Sequence, residues 1–599
     1  MRTTKKKFST NEVLKKLAPL LAILGVSLLF FAANFKSGHL VLRGDTGYPL
    51  DPSLALEKYS YAWFGFIFNG QPAGHAYNFA FPLLVIIYVL NQFFNPQISQ
   101  FILLTSLLFL SGFLPYLFFS KVNKGQPLNN LLGALFYMLN PIIITEWYVP
   151  NPWFLLAYVS IPFTAIACYY VVTNFVLGLS LLALSYIFIA SSFANTPFIG
   201  ISFLSGLFII FYLCVRNNIR FKKQIFYAVS YALVFFLANC WWLGLLLEYR
   251  AEGYQVLTTG VGVSSWAEGA SRHAHFIYVL LSQFTPTIAG KSFEYTRFIT
   301  STGFSLIYII FPVLIFSYFF HKKREYHTIL LLIALVITFF FVKGTQPPFG
   351  SIYLWLLKNV PYFAVFKTPS EKFGVLLIFL TSLALSTINS QSRLIVFAII
   401  ILLAFSYPVY SGKLFPDIEI SKGTILQAYQ KVDKSYFRVS DLINEDKREG
   451  RVLLLPGTAN YMDTYKSSRF RGLSWISSLI NKPLIKGYSL RRDNLGVLIK
   501  NISNEEKFIS LLKLYNINWI VLNKDIDINA YGFTHKESIK TIESRLNSYK
   551  DLKRVISVGP LLLFRFNRVG GADASINENP LPRIYTPPIV KVYVPSTTK

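Results

Sequence analysis

A series of apolar runs constrains this chain more than any other feature. They fall at 17–35, 98–120, 127–145, 154–172, 174–190, 197–215, 224–247, 303–320, 328–343, 373–388 and 394–410. Each is about the length that crosses a bilayer as a helix. The 599 residues are 53% hydrophobic and only 14% charged, which excludes an ordinary soluble domain over the first two thirds of the chain. Cys168, Cys214 and Cys240 all lie within apolar runs, so they imply neither a disulfide framework nor a metal cluster.

Basic clusters mark the loops on one side. They are the N-terminal MRTTKKKFSTNEVLKK, Lys121 with Lys124, RNNIRFKK at 216–223, HKKREYH at 321–327, and Arg393. Positive charge collects on the cytoplasmic side, so the N-terminus is expected inside. A cleaved signal peptide is the rival reading of the first run. Residues 79–94 are too short to span comfortably and are read as re-entrant or lying along the outer surface. The expectation is a polytopic α-helical membrane protein of about eleven transmembrane helices, residues 1–410. Residues 411–599 then form an extracytoplasmic α/β or α+β domain. Outer loops fall at 36–97, 248–302 and 344–372.

Acids are scarce before residue 410, and all but Glu12 and Glu325 fall in expected outer loops or at outer helix ends. Two lie in RGDTGYPLDPSLALEKYSYAW, residues 43–63. Asp51-Pro52 has the form of a helix start, with Asp as N-cap and Pro at the first helical position. An amphipathic, aromatic helix is expected over 52–68, lying in the membrane interface. Asp45 sits in Gly44-Asp45-Thr46-Gly47. It reads either as an Asx-turn or as a general base at the mouth of a cavity.

This loop resembles the first outer loop of GT-C-type membrane glycosyltransferases, most of all the alpha-(1→3)-arabinofuranosyltransferase family. The matching elements are Asp45-Thr46, Asp51-Pro52, Trp63, Gly70 and GHAYNFAFP at 74–82. The resemblance implies a GT-C-like module acting on the outer face of the cell membrane. It implies an inverting-type enzyme that takes sugar from a polyprenyl-phosphate donor to a glycan or glycolipid acceptor of the cell envelope, with Asp45 as catalytic base. A second segment, 344–374, resembles the stretch that carries a basic-x-Pro-x-Lys-like motif, with Lys367 and Lys372 in those places. Cations there suit a lipid phosphate, and snorkelling at a helix end is the plainer account.

Further candidates for donor or acceptor contact are Asp51, His75, Glu146, Glu268 and Arg272. Glu146 is followed by Trp147 and Tyr148, which suits sugar binding and equally an interfacial belt. Glu268 lies near His273 and His275, but a His-x-His beside one acid is weak evidence for zinc. No cofactor is expected, and a divalent metal is left open.

In the tail, RVLLLP (451–456), INWIVLNK (517–524) and LLLFRF (561–566) read as strands. SNEEKFISLLKLY (503–515) reads as a helix with Ser503 and Glu506 at capping-box spacing. The tail shows no phosphate-binding loop, dinucleotide fingerprint, nucleophile elbow or zinc spacing. It is basic, but a domain facing away from the cytoplasm fits nucleic acid poorly. A lipid-glycan flippase or transporter and a non-catalytic envelope scaffold are the competing functions. A transporter would show more ionisable residues in mid-membrane than this chain has.

Overall fold

The computed structural model describes residues 10–44, 46–60, 63–64, 71–72, 80–194, 197–253, 263–283, 294–321, 325–360, 362–388, 391–415, 419–421, 424–457, 462–486, 498–529 and 537–567. Among these, ten helices are long and apolar enough to cross a membrane. Two shorter apolar helices accompany them, Phe81–Phe93 and Ser392–Phe405. The protein is therefore a multi-pass membrane protein.

Polar side chains staple the helices at both ends of the bundle. At one end Asn123 Nδ2 donates to Ser386 Oγ at 2.9 Å, and Asn129 donates to the Ile388 carbonyl. Arg216 donates to the Val122 carbonyl at 2.8 Å, so the basic helix ends gather there. At the other end Ser406 Oγ donates to the Leu139 carbonyl at 3.0 Å, and Asn34 Nδ2 to the Val409 carbonyl at 2.9 Å. Ser392–Phe405, extended by Pro408–Ser411, thus begins at the first face and ends at the second. It therefore runs between the two faces beside the ten longer helices of the described residues. Phe81–Phe93, at about 1.5 Å per residue, reaches about 20 Å.

The tail forms a five-stranded sheet. Its strands are β1 (Arg451–Leu455), β2 (Leu484–Ile485), β3 (Ile517–Asn523), β4 (Leu552–Val558) and β5 (Leu561–Phe566), in the order β2-β1-β3-β5-β4. The first three are parallel, while β5 is antiparallel to β3 and β4 to β5. The inner strands are apolar on both faces because both are covered. Leu453, Leu455, Ile520, Leu522, Leu562 and Phe564 pack with Phe508, Leu512, Ile542 and Leu546 of the helices Glu505–Leu514 and Ile539–Ser548. The alternating Val452, Leu454, Val521, Leu561 and Leu563 join Tyr436, Val439 and Ile443 in a core continuous with the membrane bundle.

Two local expectations are corrected. The helix after Asp51 ends at Tyr59, not 68, and leads into a two-residue ribbon pairing Trp63–Phe64 with Gln71–Pro72. Its Lys58 is buried against the tail domain. The helix Glu505–Leu514 is capped by Asn504, whose side chain accepts from Lys507 N at 3.0 Å, and not by Ser503.

Candidate active site

The membrane helix Pro127–Leu139 stops at Asn140-Pro141. Proline cannot donate into the preceding turn, and Asn140 leaves the helical region to cap a second, shorter helix. Its Oδ1 accepts from Ile143 N at 3.0 Å, opening the helix Pro141–Trp147. That helix places Glu146, Trp147 and Tyr148 at the domain-bearing end of the bundle, all of them buried.

The helix Pro369–Ser386 starts at the same end and carries Glu371 and Lys372 in its first turn. These two form an ion pair, with Lys372 only 4% and Glu371 16% exposed. Glu146 is within electrostatic reach of both. Its Oε1 is buried and has no hydrogen-bond partner among the described residues. Two acids therefore lie within reach of one cation, with little water to screen them, and only Glu371 is ion-paired to it.

Lys372 Nζ also lies 5.0 Å from the Phe198 ring centroid. Lys367 extends over Trp266, 4.6 Å from its ring centroid. Burial first, and then the positive charge of Lys372, hold the Lys367 ammonium below its ordinary value. A tight turn brings these elements together. Gly344 ends the helix Tyr326–Lys343 at φ +57°, and a Cβ there would meet Pro369 Cβ at 3.2 Å. Thr345 N donates to Ser271 Oγ at 3.2 Å, tying in the helix Val263–Ser271 that bears Trp266.

The first loop closes over the same end. Arg43 is buried, its guanidinium 3.6 Å from the Tyr148 ring centroid and donating to the Tyr148 hydroxyl. Burial lowers Arg43 to about 10, against an opposing pull from Tyr148, so it remains a cation at neutral pH. Arg43 N donates to Thr46 Oγ1 at 2.7 Å and Thr46 N to the Arg43 carbonyl at 3.0 Å. Gln100 grips Val41 from the adjacent membrane helix, accepting from its N–H at 2.8 Å and donating to its carbonyl at 2.9 Å.

Of the residues singled out from sequence, Glu146, Lys367 and Lys372 come together. Asp45 and His75 lie outside the described residues. Asp51 is a helix cap, its Oδ1 accepting from Leu54 N at 2.9 Å. Glu268 and Arg272 are exposed, as is His275. Among the described residues no group of three His, Cys, Asp or Glu side chains is placed to hold a metal ion. Sequence reasoning passed over Arg43, Tyr148 and Glu371 as site residues. Glu371 offered a signal, an acid directly beside a lysine in the first turn of an apolar helix.

No protein-family model matches the sequence, and no curated protein matches it. Among solved structures, the cryo-EM structure of arabinofuranosyltransferase AftD from Mycobacteria matches with a TM-score of 0.60 at 14% identity, over 92% of this chain and 40% of that one. A mutant form of AftD matches with a TM-score of 0.55 over 92% and 42%. The archaeal oligosaccharyltransferase AglB from Archaeoglobus fulgidus gives a TM-score of only 0.35, too low to carry an argument. The chain shares its fold with AftD and spans about 40% of AftD's length.

Proposed function

We propose that this protein is a membrane glycosyltransferase that moves a sugar from a polyprenyl-phosphate donor to a cell-envelope glycan or glycolipid. The observation that carries the reading is the gathering of charge at the domain-bearing end of the bundle. Arg43 of the first loop meets Tyr148 there, two residues on from the buried Glu146, which is within electrostatic reach of the Glu371–Lys372 pair, with Lys367 close by on Trp266. The shared fold with AftD supports it. Basic helix ends on the opposite face support an orientation with the N-terminus in the cytoplasm and the tail domain outside the plasma membrane.

In this reading the acceptor hydroxyl attacks the anomeric carbon and Asp45 takes its proton. The bond from that carbon to the phosphate oxygen breaks on the opposite side, the configuration inverts, and polyprenyl phosphate leaves. Lys367 and Lys372 repel one another, and a phosphate between them turns that repulsion into attraction as negative charge builds on the leaving group. Glu146 is assigned to donor or acceptor contact beside them. His75, Glu268 and Arg272 are assigned to sugar or acceptor contact, while Asp51 serves the loop's architecture.

The test is transfer by the full chain in lipid nanodiscs, with a panel of polyprenyl-phosphate sugars and envelope-glycan acceptors. The expected result is labelled product with an equal amount of free polyprenyl phosphate. Absence of transfer from every donor, with movement of the labelled lipid across vesicles by the same preparation, would establish the transporter instead.

A further inference from the structure

The first loop is held by the tail domain as well as by the membrane helices. Leu40–Val41 pairs antiparallel with Tyr429–Gln430, and Leu42 N donates to the Ala428 carbonyl at 3.0 Å. Gly44 N donates to the Arg471 carbonyl at 2.9 Å, and Gly44 bridges Gly472 backbone to backbone. On the far side of residue 45, Lys58 is buried and donates to the carbonyls of Ile480 and Ser477, the latter at 3.5 Å. These carbonyls are at the end of the helix Trp475–Leu479, where unsatisfied carbonyls favour a cation.

The two grips belong to one stiff element. Gly472 lies in the hairpin that pairs Met462–Thr464 with Arg471–Leu473. Phe470 stacks on Trp475 with ring centroids 5.0 Å apart, and Trp475 on Tyr465 at 4.5 Å. Trp475 begins the helix whose end Lys58 caps. Gly472 does not have a left-handed φ, so its backbone conformation would accept other residues. Space excludes them, since a Cβ at this position would meet Gly44 O at 2.9 Å and Phe470 Cζ at 2.5 Å.

We propose that residues 462–480 of the tail domain act as a clamp that sets the position of the loop carrying Asp45, with Gly472 and Lys58 as positioning residues for transfer. The tail domain is then part of the catalytic apparatus and not only a surface for the acceptor. This rests on the glycosyltransferase reading, and it explains why the loop is tied to the domain on both sides of the base. A displaced loop still admits the lipid donor, because Lys367 and Lys372 belong to other elements. It presents the base badly, so turnover falls while donor affinity stays.

The experiment pairs amide hydrogen exchange with transfer kinetics for wild type, Gly472→Val, Lys58→Met and Lys58→Arg. Exchange over residues 40–46 is expected to quicken about tenfold in Gly472→Val. In Gly472→Val and Lys58→Met, kcat is expected to fall about 10- to 100-fold with donor KM changed less than about twofold. Lys58→Arg, which still donates to carbonyls, restores turnover. If Gly472→Val fails to fold, the two Lys58 variants carry the test. Unchanged exchange, or quickened exchange with normal kcat, overturns the clamp. An active wild type with unimpaired variants refutes this proposal alone, whereas a wild type inactive with every donor refutes the functional reading and the clamp with it.

Discussion

Replacing Lys372 with Met should cost much more stability than replacing Glu371 with Gln. Lys372 is ion-paired to Glu371 and within reach of Glu146, and all three side chains are largely withdrawn from solvent. Lys372→Met keeps most of the side-chain volume but leaves Glu371 without its cation in a site that holds a second acid, Glu146. Removing one partner of a buried pair typically costs about 3–5 kcal/mol. Glu371→Gln leaves Lys372 with Glu146 as its counter-charge, so the loss should be nearer the value of one hydrogen bond, about 1 kcal/mol. In the double variant Glu146 no longer faces a second acid. It should be more stable than Lys372→Met alone by about 2 kcal/mol, a coupling of about 3 kcal/mol once the Glu371→Gln loss is counted. Thermal unfolding in detergent, monitored by tryptophan fluorescence, measures all four proteins. The differences should persist at high salt because the group is shielded from screening. Equal losses from the two single variants would refute this arrangement.

Two further outcomes concern the first loop. Asp51→Ala should lower stability by about 1 kcal/mol through loss of the cap on the helix Pro52–Tyr59. Asp51→Ser should retain both stability and transfer, and loss of transfer in Asp51→Ser would place Asp51 against substrate. Burial holds the Lys58 ammonium at about 8, below its ordinary 10.5. Between those values the unfolded chain binds a proton that the folded one has released, so stability rises with pH across that window, by up to about 3 kcal/mol. Below about pH 8 the folded state bears the whole cost of the buried charge. The melting temperature of wild type should climb relative to Lys58→Met between pH 8 and 10.5, and parallel curves would contradict this origin of the pH dependence.

The membrane architecture was legible because bilayer crossing imposes a length and an apolar content that few other structures need. Strands 451–455, 517–523 and 561–566 were legible for a related reason, since sheets covered on both faces leave continuous apolar runs. Strand 552–558 was not, because Lys553, Arg554 and Val555 face outward on the sheet edge and break that pattern. Asp51-Pro52 announced a helix start through local chemistry alone, whereas the break at Asn140-Pro141 lay inside the apolar run 127–145. The contacts of Lys58 with carbonyls near residue 480 join distant parts of the chain, which no local pattern encodes. Glu146 and Lys372 were visible as charged residues at apolar helix ends. Their meeting joins positions more than two hundred residues apart, and only packing reveals it. Arg43 stood in the loop that drew attention first, yet its burial against Tyr148 required the fold.

The central claim is that the first loop supplies a catalytic base to a lipid-linked sugar transfer. The most direct measurement is sugar transfer in nanodiscs by wild type and Asp45→Asn, side by side with the same polyprenyl-phosphate donors. The substitution keeps the side chain's shape but cannot accept the acceptor's proton. The account predicts transfer by wild type and a fall in kcat of about 100-fold or more in the variant, with unchanged melting temperature and donor KM. Equal transfer by the two proteins would contradict it and remove Asp45 from the chemistry.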